Sequence, residues 1–343
     1  MTHTCEKFPT ADEWKAGNGT LWKVEYVGHL KFTDQMQAKQ LQGDKCRTGN
    51  IEKTVIWSCG DMECGGDPNS CGFSMGPAFY GTGSVDTINT DGITDVNSNT
   101  FATAWDQDPP PVAPQTGWGM DTSNVAEINS THGVAYVWEI WRSGSNDPIV
   151  NRGAGAVSVT LGQNRPMATR VGPLLSDASG LQLGLLAIMR AEQYIYVYSM
   201  GGPSGVNVAR VTASDDVFDP TKYQFLVSGT QTWETPGSIP SADNTRYGMQ
   251  TLDPSEKFSC LVYGSAFYNP TWKKYVILCN TFESVTMFYV ADSPYGPFSA
   301  TYTVLGAWHG YGSHAHETYG VNPLYFSLSP DGPFDLFKLT FNF

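Results

Sequence analysis

Short apolar segments rich in Val, Ile, Tyr and Phe recur along the 343-residue chain and alternate with Gly, Pro, Asn and Asp. β-Branched and aromatic residues favour strands, and turn-forming residues between them end each strand. The clearest predicted strands are TVIWSC (54–59), GVAYVWEIWR (133–142), GAVSVTL (155–161), YIYVYSM (194–200), GVNVARV (205–211), FSCLVYG (258–264), KYVILCNT (274–281), VTMFYVADS (285–293), LYFSLS (324–329) and FDLFKLTFNF (334–343). Only residues near 34–42 and 179–192 indicate helix.

Neighbouring strands are joined by short turns, as 194–200 is to 205–211, which predicts sequential antiparallel hairpins. Radial repetition of such meanders gives a propeller with few exposed strand edges. We therefore predict an all-β fold, a five-bladed β-propeller of antiparallel meander blades that spans 1–343 as a single domain. A jelly roll or sandwich is the alternative. Five blades leave room for long inserted loops, which we expect at 64–125 and 229–256.

Composition limits the classes of partner. The formal net charge is −13, with 20 basic and 33 acidic residues, so the chain should repel a nucleic-acid backbone. No apolar run reaches the roughly 18 residues needed to cross a bilayer. The segment MTHTCEKFPT has no apolar signal core, so export would require a signal peptide absent from this sequence.

Seven cysteines indicate an oxidising compartment through their spacing. Cys64 and Cys71 bracket a turn-rich loop suited to a disulfide, and Cys46/Cys59 and Cys260/Cys279 each flank what could be adjacent strands, which leaves Cys5 over. Seven free thiols and a zinc site are the alternatives, the latter without a Cys-x-x-Cys pair. Two N-glycosylation sequons begin at Asn18 and Asn129. We predict a secreted protein.

The carboxy-terminal half carries specific motifs, such as ARV (209–211) within the segment 191–229, SAFYNPTWKKYVILCNT (265–281) and ADSPYGPFS (291–299). They resemble a propeller family of unknown function that includes bacterial endo-D-arabinanases, and the likeness covers roughly 188–343. In the amino-terminal half it narrows to GDKCRTGNIEKTVIWSCGDM (43–62).

The resemblance implies that Asp44 and Asp61 are the two catalytic aspartates of a glycoside hydrolase, which needs a carboxyl group on each side of the scissile bond. If the resemblance is set aside, a turn cap at Asp61 and a solvated Asp44 explain the two residues equally well. The surroundings depart from the fungal members of the family. Gly43 and Gly60 replace the arginine before each aspartate, and Met62 replaces the threonine after the second.

Further candidate residues surround this pair in the sequence. Glu63 follows in the same loop, and Glu139 lies in an apolar run, where it needs a partner, with Arg142 the nearest, unless it points outward. In WHGYGSHAHE (308–317), His314 and His316 should share one strand face as hydrogen-bonding or proton-transferring catalytic groups. A metal at this segment is the weaker alternative, and we expect no metal and no cofactor.

Aromatic and sulfur side chains are frequent in the first predicted insertion. They comprise Phe73, Met75, Phe79, Tyr80, Trp105, Trp118 and Met120. Most such residues form core, but a pocket lined by Tyr80, Trp118 and Met120, with Met62, Glu63 and Glu139, would bind an apolar or aromatic substrate.

Two enzyme classes fit these observations. Because the arginines are lost and the insertion is aromatic, we favour a pericyclase similar to fungal hetero-Diels–Alderases, which join a tropolone quinone methide to a humulene-type sesquiterpene. Such an enzyme needs only to hold two reactants in a near-attack geometry. The alternative is a secreted, endo-arabinanase-like glycoside hydrolase acting on an oligosaccharide, and a non-catalytic carbohydrate-binding propeller is the third.

Overall fold

The computed structural model describes residues 8–65, 70–96, 101–143, 148–261, 263–281, 283–330 and 332–343. Strand makes up 48% and helix 7%, which confirms the all-β class. The two α-helices in these ranges are α1 (Ala11–Ala16) and α2 (Asp34–Ala38), and three 3₁₀ segments lie at Asp215–Phe218, Pro220–Lys222 and Glu317–Tyr319.

The strands follow one another along the whole described chain. They are β1 (Trp22–His29), β2 (Lys31–Phe32), β3 (Leu41–Gly43), β4 (Cys46–Ile51), β5 (Thr54–Cys59), β6 (Asp61–Cys64), β7 (Phe73–Met75), β8 (Ala78–Gly81), β9 (Thr87–Asn89), β10 (Gly117–Thr122), β11 (Ala126–Asn129), β12 (His132–Arg142), β13 (Val150–Leu161), β14 (Pro166–Arg170), β15 (Ser176–Asp177), β16 (Ala187–Ala191), β17 (Tyr194–Met200), β18 (Val206–Thr212), β19 (Gln224–Leu226), β20 (Trp233–Glu234), β21 (Gly264–Asn269), β22 (Lys274–Asn280), β23 (Thr286–Ala291), β24 (Tyr302–Leu305), β25 (Tyr311–Ala315), β26 (Leu324–Ser329) and β27 (Asp335–Phe341).

These strands form five sheets of four to six strands and one small sheet. The orders are β2-β9-β8-β5-β4, then β10-β12-β13-β14 with β11 and β15 at its sides, β16-β17-β18-β19-β20, β21-β22-β23-β24, and β1-β27-β26-β25, with β3-β6-β7 as the small sheet. Strands joined by short turns, such as β17 and β18, pair antiparallel as predicted, β17 has the predicted bounds, and β2 pairs parallel with β9. The amino-terminal strand β1 pairs along β27, so the two ends of the chain share one sheet.

One strand of each of the five larger sheets contacts one strand of each of two neighbouring sheets, and we call these five the innermost strands. β4 contacts β11, β11 contacts β16, β16 contacts β21, β21 contacts β25, and β25 contacts β4. Apolar side chains from facing sheets fill the space between them, and Ile188, Val197, Leu278 and Phe326 are fully buried there. Burial of this apolar surface is the main stabilising term of such a fold.

Three sequence-based predictions are wrong. Residues 179–192 form a loop followed by β16, and the backbone of Gly180 and Leu181 bonds to neighbouring loops rather than within a helix. The range 64–125, which we expected to be a long inserted loop, contains the four strands β7, β8, β9 and β10. The segment 258–264, predicted as one strand, is not one. Phe258 and Leu261 lie outside any strand and donate backbone hydrogen bonds to the carbonyl oxygens of Ser204 and Asn280, and the strand that pairs with β22 is β21.

The three predicted disulfides are confirmed. Cys46–Cys59 joins directly opposed residues of β4 and β5, Cys64–Cys71 closes the loop between β6 and β7, and Cys260–Cys279 ties an irregular segment to β22. Cys5 lies outside the described residues. No helix in the described ranges is both long enough and apolar enough to cross a membrane.

Candidate active site

Asp44 and Asp61 lie side by side where β3 and β6 meet the innermost strand β4. Gly43 opposes Met62 in the antiparallel β3–β6 pair, and the amide of Asp44 donates a hydrogen bond to the carbonyl oxygen of Asp61 at 2.7 Å. The two aspartates are therefore the next opposed pair along these chains, at cross-strand distance.

The glycines that precede the two aspartates make this approach possible. A Cβ atom on Gly43 would lie 1.8 Å from the carbonyl oxygen of Asp61, and one on Gly60 would lie 2.7 Å from Cβ of Asp44. Any side chain at either position would push the two segments apart. The departure from the fungal pattern is thus a packing requirement of this chain.

The two carboxyl groups have different partners. Arg142 Nη1 donates to Asp61 Oδ2 at 3.1 Å, and its guanidinium also lies 5.4 Å from the ring centroid of Phe73. Asp44 is hydrogen-bonded to the phenol of Tyr311. Asp61 thus has a cation in contact, and Asp44 has a neutral donor.

Burial is the main influence on the ionisation of both groups. It raises the pKa of Asp44, against which the Tyr311 hydrogen bond and the charge of Lys45 act, and it raises the pKa of Asp61, against which Arg142 acts. A carboxyl group with a raised pKa holds its proton nearer to neutral pH, which is what a general acid requires.

A buried charged network, absent from the sequence-based predictions, lies beside the pair. Lys45, 1% exposed, forms an ion pair with Asp121, whose Oδ2 accepts a hydrogen bond from the Tyr263 hydroxyl at 2.9 Å. The ammonium group of Lys45 and the guanidinium of Arg47 lie 4.6 and 5.1 Å from the Tyr263 ring centroid. The charge of Asp121 raises the pKa of both Asp44 and Asp61. One feature of the sequence could have indicated this network, because Lys45 is a cation next to Asp44 and directly precedes the buried strand β4.

His314 and His316 are both completely buried. Nδ1 of His314 lies 3.1 Å from the carbonyl oxygen of Gly264, which fixes the proton on that nitrogen, and burial keeps its pKa well below the usual value. Nε2 of His314 has no hydrogen-bond partner in the described part of the chain. His316 Nε2 lies 2.9 Å from Ser327 Oγ, and burial lowers its pKa to about 3. Both rings are therefore neutral, and a catalytic part for either stays a prediction.

Arg142 is not the partner of Glu139. Glu139 is fully buried, and its Oε2 accepts a hydrogen bond from Arg170 Nη1 at 2.7 Å. Burial raises the pKa of Glu139 against the opposing effect of Arg170. The predicted pairing of Glu139 with Arg142 is wrong, because Arg142 lies three positions further along β12 and its guanidinium contacts Asp61 instead.

The remaining predicted substrate-binding residues are brought together only in part, because Tyr80 and Trp118 pack against the apolar cluster that contains Met120, whereas Met62 belongs to another cluster. Met62 and Met120 belong to two different apolar clusters, at 0% and 3% exposure, so they pack the core rather than face a ligand. Tyr80 donates its hydroxyl to the carbonyl oxygen of Gly162 at 2.7 Å. Trp118 is half-buried against Trp141, next to Arg142. Glu63 is half-buried opposite Phe73.

A partly exposed apolar surface borders Asp61. Phe73 and Met75 on β7 and Trp118 on β10 are each half-buried. Arg142 Nη1 lies 3.2 Å from the sulfur of Met75, which links this surface to the carboxyl pair. We refer to Phe73, Met75 and Trp118 as the apolar wall. Among the described residues, no group of three or more His, Cys, Asp or Glu is placed to hold a metal ion.

Neither a protein-family model nor a curated protein matches the chain. Among solved structures it is similar to a Bacteroides ovatus protein provisionally described as a hydrolase (TM-score 0.58, 14% identity, 92% of this chain and 87% of that one). It is also similar to a GH43_1 enzyme from Xanthomonas citri complexed with xylose (TM-score 0.50, 11% identity, 88% of each chain). A third is an exo-β-1,3-galactanase from Phanerochaete chrysosporium with β-1,3-galactotriose (TM-score 0.51, 10% identity, 91% of this chain and 63% of that one).

Identities of 10–14% carry information on the fold alone. The chain therefore has the β-propeller fold that GH43-type hydrolases share.

Proposed function

We propose that this protein is a secreted glycoside hydrolase that cleaves an oligosaccharide with Asp44 and Asp61 at the hub of a five-bladed propeller. The cyclic contacts among β4, β11, β16, β21 and β25 support five blades, and the β1–β27 pairing supports closure of the ring by the two chain ends. Three disulfides support export. Asn18 and Asn129 are both exposed, as glycosylation would require.

The asymmetry of the aspartate pair carries the proposal. Asp61, in contact with Arg142, is the group more easily kept ionised, and it would act as the base or nucleophile. Asp44 is hydrogen-bonded to a neutral phenol, and the cation next to it in the sequence, Lys45, which also lowers the pKa of Asp44, is paired with Asp121. Asp44 would therefore hold the proton that the leaving oxygen of the sugar receives. Two carboxyls with different environments are what glycoside hydrolysis needs.

The substrate class follows from the fold and from the sequence resemblance. Two neighbours are described with bound sugars, xylose in one and galactotriose in the other, and the family that the chain resembles includes arabinanases. We therefore propose a neutral oligosaccharide of pentose or hexose units, with linear arabinan as the first candidate. The net charge of −13 agrees with an uncharged rather than an acidic glycan.

Cycloaddition is the second candidate, and the apolar wall is the observation that favours it. Half-buried Phe73, Met75 and Trp118 beside Asp61 offer a surface that an aromatic quinone methide could contact. None of the neighbours supports an apolar substrate, and for this reason it ranks below hydrolysis. The sequence analysis also predicted a substrate-binding role for four residues that do not support cycloaddition. Met62, Met120 and Glu139 are buried, and the hydroxyl of Tyr80 is hydrogen-bonded to Gly162.

The experiment offers the protein two sets of substrates. Wild type, Asp61→Asn and the control Asp253→Asn, which alters an exposed turn, are incubated with arabino-, xylo- and galacto-oligosaccharides and, separately, with a tropolone quinone-methide precursor and humulene. Hydrolysis predicts sugar release that falls by about 10²- to 10⁴-fold in Asp61→Asn and is unchanged in the control. Cycloadduct formation by wild type, with no sugar release from any glycan, would overturn the proposal.

A further inference from the structure

Two aromatic side chains are exposed on the last sheet, although aromatic residues are mostly buried in this protein. Tyr26 on β1 is 46% exposed and Trp308, in the loop before β25, is 37% exposed. Their ring centroids lie 5.7 Å apart with planes inclined by 31°, so they form one continuous surface. The buried ring of Phe337 lies beneath both, 5.1 Å from Trp308 and 5.5 Å from Tyr26. We refer to Tyr26 and Trp308 as the aromatic platform.

The platform is held rigidly by a buried carboxylate. Asp335, 7% exposed, accepts a hydrogen bond from Trp308 Nε1 at 2.7 Å through Oδ2, and its Oδ1 lies 3.1 Å from His29 Nδ1. His29 in turn contacts the hydroxyl of Tyr26 at 3.3 Å. A ring that is fixed before binding loses little conformational entropy when a ligand stacks on it. The His29 side chain, which is 51% exposed, borders Tyr26 and can form a hydrogen bond with a ligand hydroxyl.

The platform is at the same end of the molecule as the aspartate pair. Trp308 is three residues before Tyr311, whose phenol is hydrogen-bonded to Asp44. An extended chain covers at most about 3.6 Å per residue, so the Cα atoms of Trp308 and Tyr311 are within about 11 Å of each other. Residues 306–309, which include Trp308, are all exposed.

We propose that the aromatic platform is a remote sugar-binding subsite, which stacks one unit of the same oligosaccharide whose bond Asp44 and Asp61 cleave. A sugar ring offers an apolar C–H face to an aromatic ring and hydroxyls at its edge. The exposed Tyr26–Trp308 surface with His29 at its margin has that combination of apolar face and polar edge. The protein is thereby selective for longer oligosaccharides. The identity of the ligand class rests on the proposed function.

Direct binding separates this inference from catalysis. The probes are arabinohexaose, xylohexaose and the corresponding disaccharides, titrated by calorimetry into Asp61→Asn, which turns them over slowly, and into the same protein with Trp308→Ala or Tyr26→Ala. The control is Tyr268→Ala, which removes an aromatic ring of 44% exposure from β21. We expect Trp308→Ala to weaken binding of a hexasaccharide by about tenfold, the control to leave it unchanged, and disaccharide binding to change less.

Positioning by Asp335 gives a second measurement. Asp335→Asn keeps both rings but weakens their fixation, so hexasaccharide affinity should fall by less than in Trp308→Ala, with thermal unfolding confirming that each variant is folded. Equal affinity of the Trp308→Ala and Tyr268→Ala proteins for the hexasaccharides overturns the inference, as does binding of none of the four glycans. Platform-dependent binding by a protein that releases no sugar would support the subsite and overturn the hydrolase.

Discussion

Replacing Arg142 with Met tests the assigned roles of the two aspartates. The guanidinium Nη1 lies 3.1 Å from Asp61 Oδ2, and the side chain of Asp61 is 30% exposed. Met keeps an unbranched apolar stem against Phe73 and Met75 while it removes the charge. The perturbation is therefore electrostatic, with little change in volume.

The magnitude follows from distance and exposure. An opposite charge in direct contact lowers the pKa of a carboxyl by about 1 to 3 units, and partial exposure of Asp61 favours the lower half of that range. Burial and the neighbouring Asp44 and Asp121, which already raise the pKa of Asp61, would then act without opposition. We expect the pKa of Asp61 to rise by about 1 to 2 units in Arg142→Met.

The sign of the pH effect is fixed by the role. An ionised base is lost as the pH falls through its pKa, so a higher pKa moves the acidic limb of the rate profile to higher pH. The assay is kcat/KM for an oligosaccharide from pH 3 to pH 8 for wild type, Arg142→Met and, as the conservative variant, Arg142→Lys, which should restore part of the shift. An acidic limb that does not move in Arg142→Met would refute the assignment of Asp61 as the ionised partner.

Three further predictions concern stability and packing. Arg170→Met should lower the free energy of unfolding by about 3–5 kcal/mol at neutral pH, because it leaves Glu139 buried without its hydrogen-bonded cation. The loss should be larger at pH 8 than at pH 5, where the raised pKa of Glu139 permits protonation. Urea unfolding at both pH values checks this, and adding Glu139→Gln to the Arg170→Met protein should recover part of the loss. Replacing both Cys64 and Cys71 with Ser should cost about 2 kcal/mol by the loop-entropy estimate, measured in the same way, and an unchanged midpoint would contradict it. Gly43→Ala should reduce both thermal stability and turnover, since its Cβ would overlap a carbonyl oxygen of β6, whereas Gly83→Ala, which has open space around it, should change neither.

Local patterns predicted the strands well where apolar alternation and turn residues agree. The bounds of β5 and β17 match the sequence segments, and the cross-strand pair Cys46–Cys59 follows from the same hairpin. The helix predicted over 179–192 is wrong because the apolar run LQLGLLAIM is buried by tertiary contacts on several sides. A run of apolar residues is compatible with a buried helix and with a buried non-helical segment, so it does not distinguish them.

The site was predictable only in part, for a physical reason. Asp44 and Asp61 were identified through a family resemblance, and their juxtaposition depends on two glycines that the same comparison had marked as losses. The ion pair of Lys45 with Asp121 spans 76 residues, and the bond from Tyr263 to Asp121 spans 142. No local periodicity encodes such contacts, because they arise only when different sheets meet around one centre.

The most direct test of the central claim is the crystal structure of the Asp61→Asn protein soaked with the longest oligosaccharide that wild type cleaves. We expect a glycosidic oxygen within about 2.6–3.2 Å of the Asp44 carboxyl, with position 61 on the other side of the same bond. An oligosaccharide bound with its scissile bond away from both positions, in a protein whose wild type cleaves it, would contradict the account.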